Sequence, residues 1–343
     1  MNYARLVDEG LAAVDAALSG RARGIAVRTS GSTGEPREAL LSADAVVASA
    51  TATLERLGGP GHWLLTLPAD RIAGAMVAAR ARVGDTDLVH GDRGPFTAAG
   101  FASAAARMPD GRRYVSLVPT QLRRVLADPR GADALAAFDA VLVGGAPPGM
   151  TLPPNAVETY GMTETSGGCV YDGVPLDGAS IRIGEGGRIM IAGPMLADGF
   201  ADGDDSAFVE RDGQRWLRTG DVGEITDGLL TVRGRGDDVI LTGGVNVHPA
   251  TVERALLAQP GIADAVVVGV ADVQWGQRVV AAVVPTPDAV VTLEGLRDGL
   301  PLERAELPTA VVVVDSVPRT AAGKIDRYAA RAITARITAE EAP

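Results

Sequence analysis

Five short loops carry residues suited to binding a phosphorylated ligand. The first is Thr29-Ser30-Gly31-Ser32-Thr33-Gly34, followed by Arg37. Its glycines let backbone N–H groups turn toward an anion, its hydroxyls add donors, and Arg37 supplies charge. The spacing is not that of a Walker loop. In the second, Tyr160-Gly161-Met162-Thr163-Glu164-Thr165, a hydroxyl beside a carboxylate can serve a phosphate and its Mg2+ together. The third, Thr219-Gly220-Asp221, offers a carboxylate in a tight turn that can accept from ribose hydroxyls. The fourth is Gly234-Arg235-Gly236-Asp237-Asp238, with Gly243-Gly244 shortly after. The fifth runs from Pro318 to Arg327 and holds Lys324, the only lysine in a chain with 32 lysines and arginines. Arginine presents a planar fork, whereas lysine brings a compact ammonium on a flexible stem into a narrow site. Lys324 is therefore read as reaching a crowded oxyanion. Each loop also has a plain reading, as a turn, a strand end, a hairpin or a solvated lysine. It is the five together, in this order, that form a specific pattern.

Composition narrows the chemistry. At 343 residues two domains are expected, and 46% hydrophobic with 22% charged residues is ordinary for a globular chain. The net charge of −11, with no basic cluster beyond Arg112-Arg113 and Arg123-Arg124, argues against nucleic acid as a partner. The single cysteine, Cys169, excludes internal disulfides and suits a reducing cytoplasm. The N-terminus does not read as a signal peptide, and no apolar run approaches a membrane span. The three histidines, His62, His90 and His248, are scattered, so neither a metal cluster nor a Ser-His-Asp set is visible. Any reaction is expected to lean on a cofactor's own reactivity.

The elements that position these loops alternate. Residues 5–18 have helical spacing and 24–28 a strand pattern, and Ser42 can cap a helix running to about Leu57. Strands near 63–67, 87–90, 114–118 and 140–144 alternate with helices near 72–83, 97–108 and 120–126. This rhythm predicts a mostly parallel, helix-covered α/β sheet with its ligand beyond the carboxyl ends of the strands. After Tyr160 short paired strands predict a small antiparallel β subdomain. From Gly236 an α+β pattern returns. The division is expected at 236/237, giving a large domain over 1–236 and a smaller, mobile one over 237–343 that carries Lys324.

The five loops together resemble those of the adenylate-forming superfamily of acyl- and aryl-CoA ligases, luciferases and peptide-synthetase adenylation domains, over nearly the whole chain. More narrowly, the stretch from Tyr160 to Gly178 is similar to that of the 2-succinylbenzoate–CoA ligases of menaquinone biosynthesis, especially the short actinobacterial kind. The resemblance implies an adenylate-forming fold with a truncated first lobe, a cytoplasmic ligase, and the substrates ATP, CoA and an aromatic carboxylate, with Mg2+. Thr29 to Gly34 with Arg37 would hold the β- and γ-phosphates, although Glu38 stands where the family usually has glycine and adds a repulsive charge. Gly144-Gly145-Ala146 would lie beside adenine. Tyr160, followed by Gly161 and Met162, would stack on it. Thr163 would contact the α-phosphate and Glu164 would bind Mg2+. Asp221, assisted by Arg235, would hold the ribose. Asp237 would be the hinge, Gly243-Gly244 would line the pantetheine passage, and Lys324 would meet the substrate carboxylate and α-phosphate. Arg71 stands where these ligases usually carry a histidine or aromatic residue near the acyl pocket, and it can fork onto a second carboxylate; a solvated helix-start arginine is the competing reading. The short first lobe exposes a sheet edge and favours a homodimer. Two alternatives stay open: a ligase for another aryl or acyl acid, and a nucleotide-binding protein without turnover.

Overall fold

The computed structural model describes residues 2–29, 37–92, 94–146, 148–319 and 325–340. Among them the strands form four sheets, of four, seven, five and five strands. The seven-stranded sheet is the frame. Its strands His62–Leu65, Leu88–His90, Arg113–Leu117, Ala140–Gly144 and Ala156–Met162 pair in parallel. Gly167–Tyr171 and Val174–Pro175 then continue it antiparallel. Alternation along the strands sends Leu64, Val115, Leu117, Val141 and Val143 to one face and Trp63, Leu65, Tyr114, Ala140 and Leu142 to the other. Helices cover both, as an all-round buried parallel sheet requires. The helix Ala43–Arg56 starts as expected: the Ser42 hydroxyl accepts the Ala45 N–H at 3.3 Å. The helix Ile72–Val83 is buried over most of its length, in keeping with its nearly continuous apolar sequence.

Three local expectations are corrected. Residues 5–18 do not form one helix: a short strand, Ala4–Arg5, joins a sheet, and Gly10 at φ 55° separates the helices Leu6–Glu9 and Leu11–Leu18. Thr219-Gly220-Asp221 is not a tight turn but lies inside the 13-residue strand Gln214–Thr226. The first phosphate-type loop does not leave the parallel sheet. It links Gly24–Arg28 to Glu38–Ser42, an antiparallel pair in the separate four-stranded sheet. A further helix, Pro129–Ala136, was not anticipated; Asp128 caps it, accepting the Gly131 N–H at 2.8 Å. Among the described residues no helix is long and apolar enough to cross a membrane.

The last sheet is built wholly from residues after Val239, chiefly the long pair Ile262–Asp272 and Gly276–Pro285. Its core is closed by a polar cluster that joins three distant segments. Arg327, at the start of the helix Arg327–Glu340, donates from Nη2 to Glu253 Oε2 at 2.9 Å and from Nε to Asp238 Oδ2 at 2.9 Å. Its Nη1 also meets Glu253 Oε1, which accepts the Val267 N–H at 2.8 Å. Burial opposes the Arg327 charge, but the two carboxylates outweigh it and hold its pKa above the usual arginine value. Glu253 is 5% exposed, and a buried charge stripped of its partner is expensive. Glu253→Ala is therefore expected to lower stability by about 3–5 kcal/mol, read as a lower midpoint in urea unfolding.

Candidate active site

The site begins where two sheets meet. Tyr160, near the carboxyl end of Ala156–Met162, donates its hydroxyl to Asp221 Oδ2 at 2.9 Å, across to the antiparallel sheet. Burial and then the Asp221 carboxylate push the Tyr160 pKa well above 10, so the phenol stays a donor. Asp221 pairs in register with Arg235 on the neighbouring strand Leu229–Arg235. The Arg235 guanidinium reaches Asp221 Oδ1 at 3.9 Å and Asp237 Oδ2 at 3.2 Å. Gly220 explains how this is possible: a Cβ there would fall 2.5 Å from Arg235 Cζ, so only glycine lets the guanidinium lie over the strand. The buried Thr219 hydroxyl donates to the Ile189 carbonyl at 2.8 Å and accepts the Asp221 N–H at 3.1 Å. It fixes Asp221 from behind, a role its sequence position did not announce. The structure thus gathers Tyr160, Asp221 and Arg235, three residues expected to hold the nucleoside, and sets Asp237, expected as the hinge, beside Arg235.

The loop after Tyr160 is a short 3-10 turn, Thr163–Thr165. The Thr165 hydroxyl accepts the Met162 N–H at 2.9 Å and donates to the Gly167 carbonyl at 2.7 Å. Ser166 is buried at φ 50°, with its hydroxyl on the Met195 carbonyl at 2.8 Å. These bonds clamp both ends of the turn. Within it Thr163 is nearly buried, and the Glu164 carbonyl accepts the Ala197 N–H at 2.8 Å. The turn packs against Glu38–Ser42, the strand that leaves the first loop. One strand over, Gly144 sits opposite Thr159; Gly145 is at φ 86° and Ala146 is exposed, so Gly144-Gly145-Ala146 flank Tyr160 at the same edge.

The first loop is pinched at its neck. The Thr29 N–H donates to the Arg37 carbonyl at 2.7 Å, and the Arg37 N–H returns to Thr29 Oγ1 at 3.1 Å. Ser30, Gly31, Ser32, Thr33 and Gly34 lie outside the described residues. The Arg37 side chain is turned toward carboxylates: it forks onto Asp202, Nε to Oδ2 and Nη2 to Oδ1 both at 2.7 Å, meets the Asp204 carbonyl, and covers the Phe200 ring at 3.7 Å. The Arg37 hydrogen bond holds the Asp202 pKa down at about 2. Glu38, expected to repel phosphate, is engaged too: Arg5 pairs with it at 2.7 Å.

Arg71 precedes the helix Ile72–Val83, 43% exposed, with a loose contact to Asp70 at 3.8 Å. It follows a strand three places from that of Tyr160, about 14 Å at normal strand spacing. Gly243-Gly244 form the two-residue turn between Ile240–Thr242 and Val245–Val247, at φ 55° and 82°, the geometry for which a glycine pair is suited. Lys324 lies outside the described residues. The helix Pro249–Leu257 rests beside the nucleotide-type cluster, with Arg254 Nη2 donating to the Val232 carbonyl at 3.2 Å. Burial raises the Glu158 pKa, and the Arg254 charge opposes that rise.

This arrangement, a helix-covered α/β sheet whose carboxyl edge meets an antiparallel sheet, with a smaller unit behind, is that of adenylate-forming enzymes. Residues 27–226 match the family model for AMP-binding enzymes and residues 251–324 that for the AMP-binding enzyme C-terminal domain; the chain belongs to this family. A probable 2-succinylbenzoate–CoA ligase of Mycobacterium tuberculosis is 44% identical over 324 residues, covering 89% of this chain and 83% of the relative. The indoleacetate–CoA ligase of Aromatoleum aromaticum is 33% identical, covering 90% and 67%. Among solved structures, ATP-bound MatB from Rhodopseudomonas palustris superposes with a TM-score of 0.79 at 26% identity, covering 91% of this chain and 68% of that one. The o-succinylbenzoate CoA synthetase from Bacillus subtilis, in complex with its acyl-adenylate intermediate, gives 0.75 at 27% identity, covering 89% and 68%.

Cys169, the third residue of the strand Gly167–Tyr171 that follows the Thr163–Thr165 turn, is chemically silent. Complete burial pushes its thiol pKa to about 12, with a Thr165 hydrogen bond working weakly the other way. The folded protein is expected to resist a thiol-reactive disulfide reagent at pH 8 and to react fully once unfolded. Rapid labelling of the native chain would contradict the buried placement.

Proposed function

We propose that the chain is an ATP-dependent acid–thiol ligase that joins 2-succinylbenzoate to CoA through an acyl-adenylate, an AMP-forming step of menaquinone biosynthesis. The observation that carries this reading is the 44% identity over 89% of the chain; the residues that the fold gathers at one edge support it. Tyr160, with its hydroxyl tied down by Asp221, offers a fixed ring face for adenine, and Gly144-Gly145-Ala146 and Gly161-Met162 border it. Asp221 and Arg235 take the ribose. Thr29 to Gly34 hold the β- and γ-phosphates, and Thr163 the α-phosphate. Arg71 meets the incoming acid at the rim.

Mg2+ supplies positive charge against the phosphate oxygens. Glu164 fits as its protein ligand, because Mg2+ usually takes one or two carboxylates and completes its shell from phosphate and water. Among the described residues no set of three or more His, Cys, Asp or Glu is gathered into an ion site of its own.

The chemistry needs no protein nucleophile. The acid's carboxylate attacks the α-phosphorus, the bond to the β-phosphate oxygen breaks, and pyrophosphate leaves. The CoA thiol, losing its proton, then attacks the acyl carbon and AMP leaves. The first step presses two anions together, so Thr163 and Lys324 act mainly by offsetting charge where it builds up. We place the domain division at 236/237, with Asp237 as the hinge; the separate sheet after Val239 and the two family matches support it. Rotation there would withdraw Lys324 and bring Gly243-Gly244 to the pantetheine arm of CoA. The edge strand Leu88–His90 spans three residues, so a homodimer paired through it would rest on few backbone hydrogen bonds.

Exchange of labelled pyrophosphate into ATP tests the reading. 2-Succinylbenzoate is expected to drive it strongly and simple aliphatic acids weakly. A different preferred acid would replace the substrate. No exchange with any acid would leave a nucleotide binder without turnover, the reading that Arg37's engagement with Asp202 favours. Lys324→Ala is expected to slow exchange by about a hundred- to a thousandfold while still passing preformed acyl-adenylate to CoA. Equal loss in both half-reactions would contradict the division of labour.

A further inference from the structure

The helix Pro249–Leu257 belongs to the C-terminal unit, yet one of its sides rests on the large domain. Ala250, Arg254 and Leu257 recur at the i, i+4, i+7 spacing that lines one side of a helix, about 10 Å from first to last. Each meets a different part of the large domain. Ala250 is buried over Gly234, where a Cβ would fall 3.1 Å from the Ala250 Cβ. Arg254 Nη2 donates to the Val232 carbonyl at 3.2 Å. Leu257 sits over Gly149, where a Cβ would fall 2.4 Å from Leu257 Cδ1 and 2.8 Å from its Cβ. Gly149 lies at φ 59° and Gly234 at φ 128°, so at both places glycine serves a backbone turn and a close approach together.

The seat for Leu257 is itself held in place. Gly149 is buried, and from the helix Pro119–Leu126 Arg123 Nη1 donates to the Pro148 carbonyl beside it at 3.1 Å. Burial lowers the Arg123 pKa, and Asp264 of the C-terminal unit works against that. Asp264 in turn pairs at 2.6 Å with Arg319, shortly before Lys324 in the sequence. Both glycines border the nucleotide cluster: Gly234 precedes Arg235, and Gly149 follows Gly144-Gly145-Ala146. With the helix seated in this way the Gly243-Gly244 turn is exposed, and Leu241, Val245 and Trp275 around it are each about half exposed. A turn lying against a pantetheine arm would be enclosed, so the seated helix goes with the first half-reaction.

We infer that Ala250, Arg254 and Leu257 form the docking face that holds the C-terminal unit for adenylation, with Gly149 as the seat for Leu257, and that this face must lift before the CoA thiol attacks. The inference rests on the ligase reading above and deepens it. Leu257 and Gly149 are positioning residues: they act through the placement of the segment that carries Lys324. Three side chains on two glycines and a carbonyl make a contact that can form and break in each cycle.

The test uses the full-length chain and follows the half-reactions separately, as exchange of labelled pyrophosphate into ATP with 2-succinylbenzoate and as transfer of preformed acyl-adenylate to CoA. Gly149→Ala, which fills the seat, is expected to slow exchange about tenfold and to leave transfer within about twofold of the wild type. Adding Leu257→Ala moves a methyl-sized volume from one side of the contact to the other and should restore most of the exchange; a loss caused only by backbone strain at residue 149 would not be restored. A Gly149→Cys, Leu257→Cys pair reads the contact without turnover. When docked its two Cβ atoms are close enough for a small shift to join them, and oxidation should give a faster band on a non-reducing gel. The cross-linked chain should keep exchange and lose transfer to CoA until reductant is added. The inference is overturned if the double alanine variant shows no recovery, if the cysteine pair does not cross-link, or if the cross-linked chain loses exchange or keeps transfer. Should the wild type support exchange with no acid, the ligase reading fails, and the cross-link still decides whether the face docks.

Discussion

The hydrogen bond from Tyr160 to Asp221 is the constraint on which the candidate site depends. It joins a strand of the seven-stranded sheet to a strand of an antiparallel sheet, so the relative placement of two separately built layers is expressed at one contact of 2.9 Å. The residues expected to touch a nucleoside lie around its two ends: the Thr163 turn after the Tyr160 strand and the glycine segment one strand over, with Arg235 on the strand that pairs with that of Asp221. Thr219 and Gly220 serve the same contact, one by holding the Asp221 backbone, the other by leaving room for a guanidinium. A ring fixed at its hydroxyl has one less way to swing, and a preorganised face loses less entropy when a base settles on it.

Charge is managed locally rather than globally. A chain of net charge −11 that handles anionic substrates cannot rely on its overall field. Its acidic residues near the first loop are instead answered one by one, Glu38 by Arg5 and Asp202 by Arg37. In the C-terminal unit the same device is used inside the core, where Arg327 binds Glu253 and Asp238. That cluster ties Asp238 and Glu253, early in the C-terminal unit, to Arg327, late in it.

Much of this was legible in the sequence, for identifiable reasons. The parallel strands and their helices follow from long apolar periods and from Ser42 as a cap, and the Gly243-Gly244 turn from two adjacent residues able to take positive φ. Tyr160, Asp221 and Arg235 were grouped through family resemblance, and the fold brings them together. The errors are local contests that tertiary contacts win. Thr-Gly-Asp has turn composition, but Arg235 opposite Asp221 extends it as strand. Arg5 lies on a helical period, yet Ala4–Arg5 finds an edge to pair with. Arg37 looks like a free cation until Asp202, 165 residues away, is folded against it. No spacing rule reports such a partner.

The Arg37–Asp202 fork has a further consequence for how this loop can work. An anion approaching residue 37 does not find a free donor; it meets an incumbent carboxylate attached to the same chain and held there at high effective concentration. Capture at that position is then a swap, and its net gain is the difference between two similar ion pairs rather than the full strength of one. Such a swap is gentle and readily reversed: as a captured anion departs, the tethered aspartate can close in behind it.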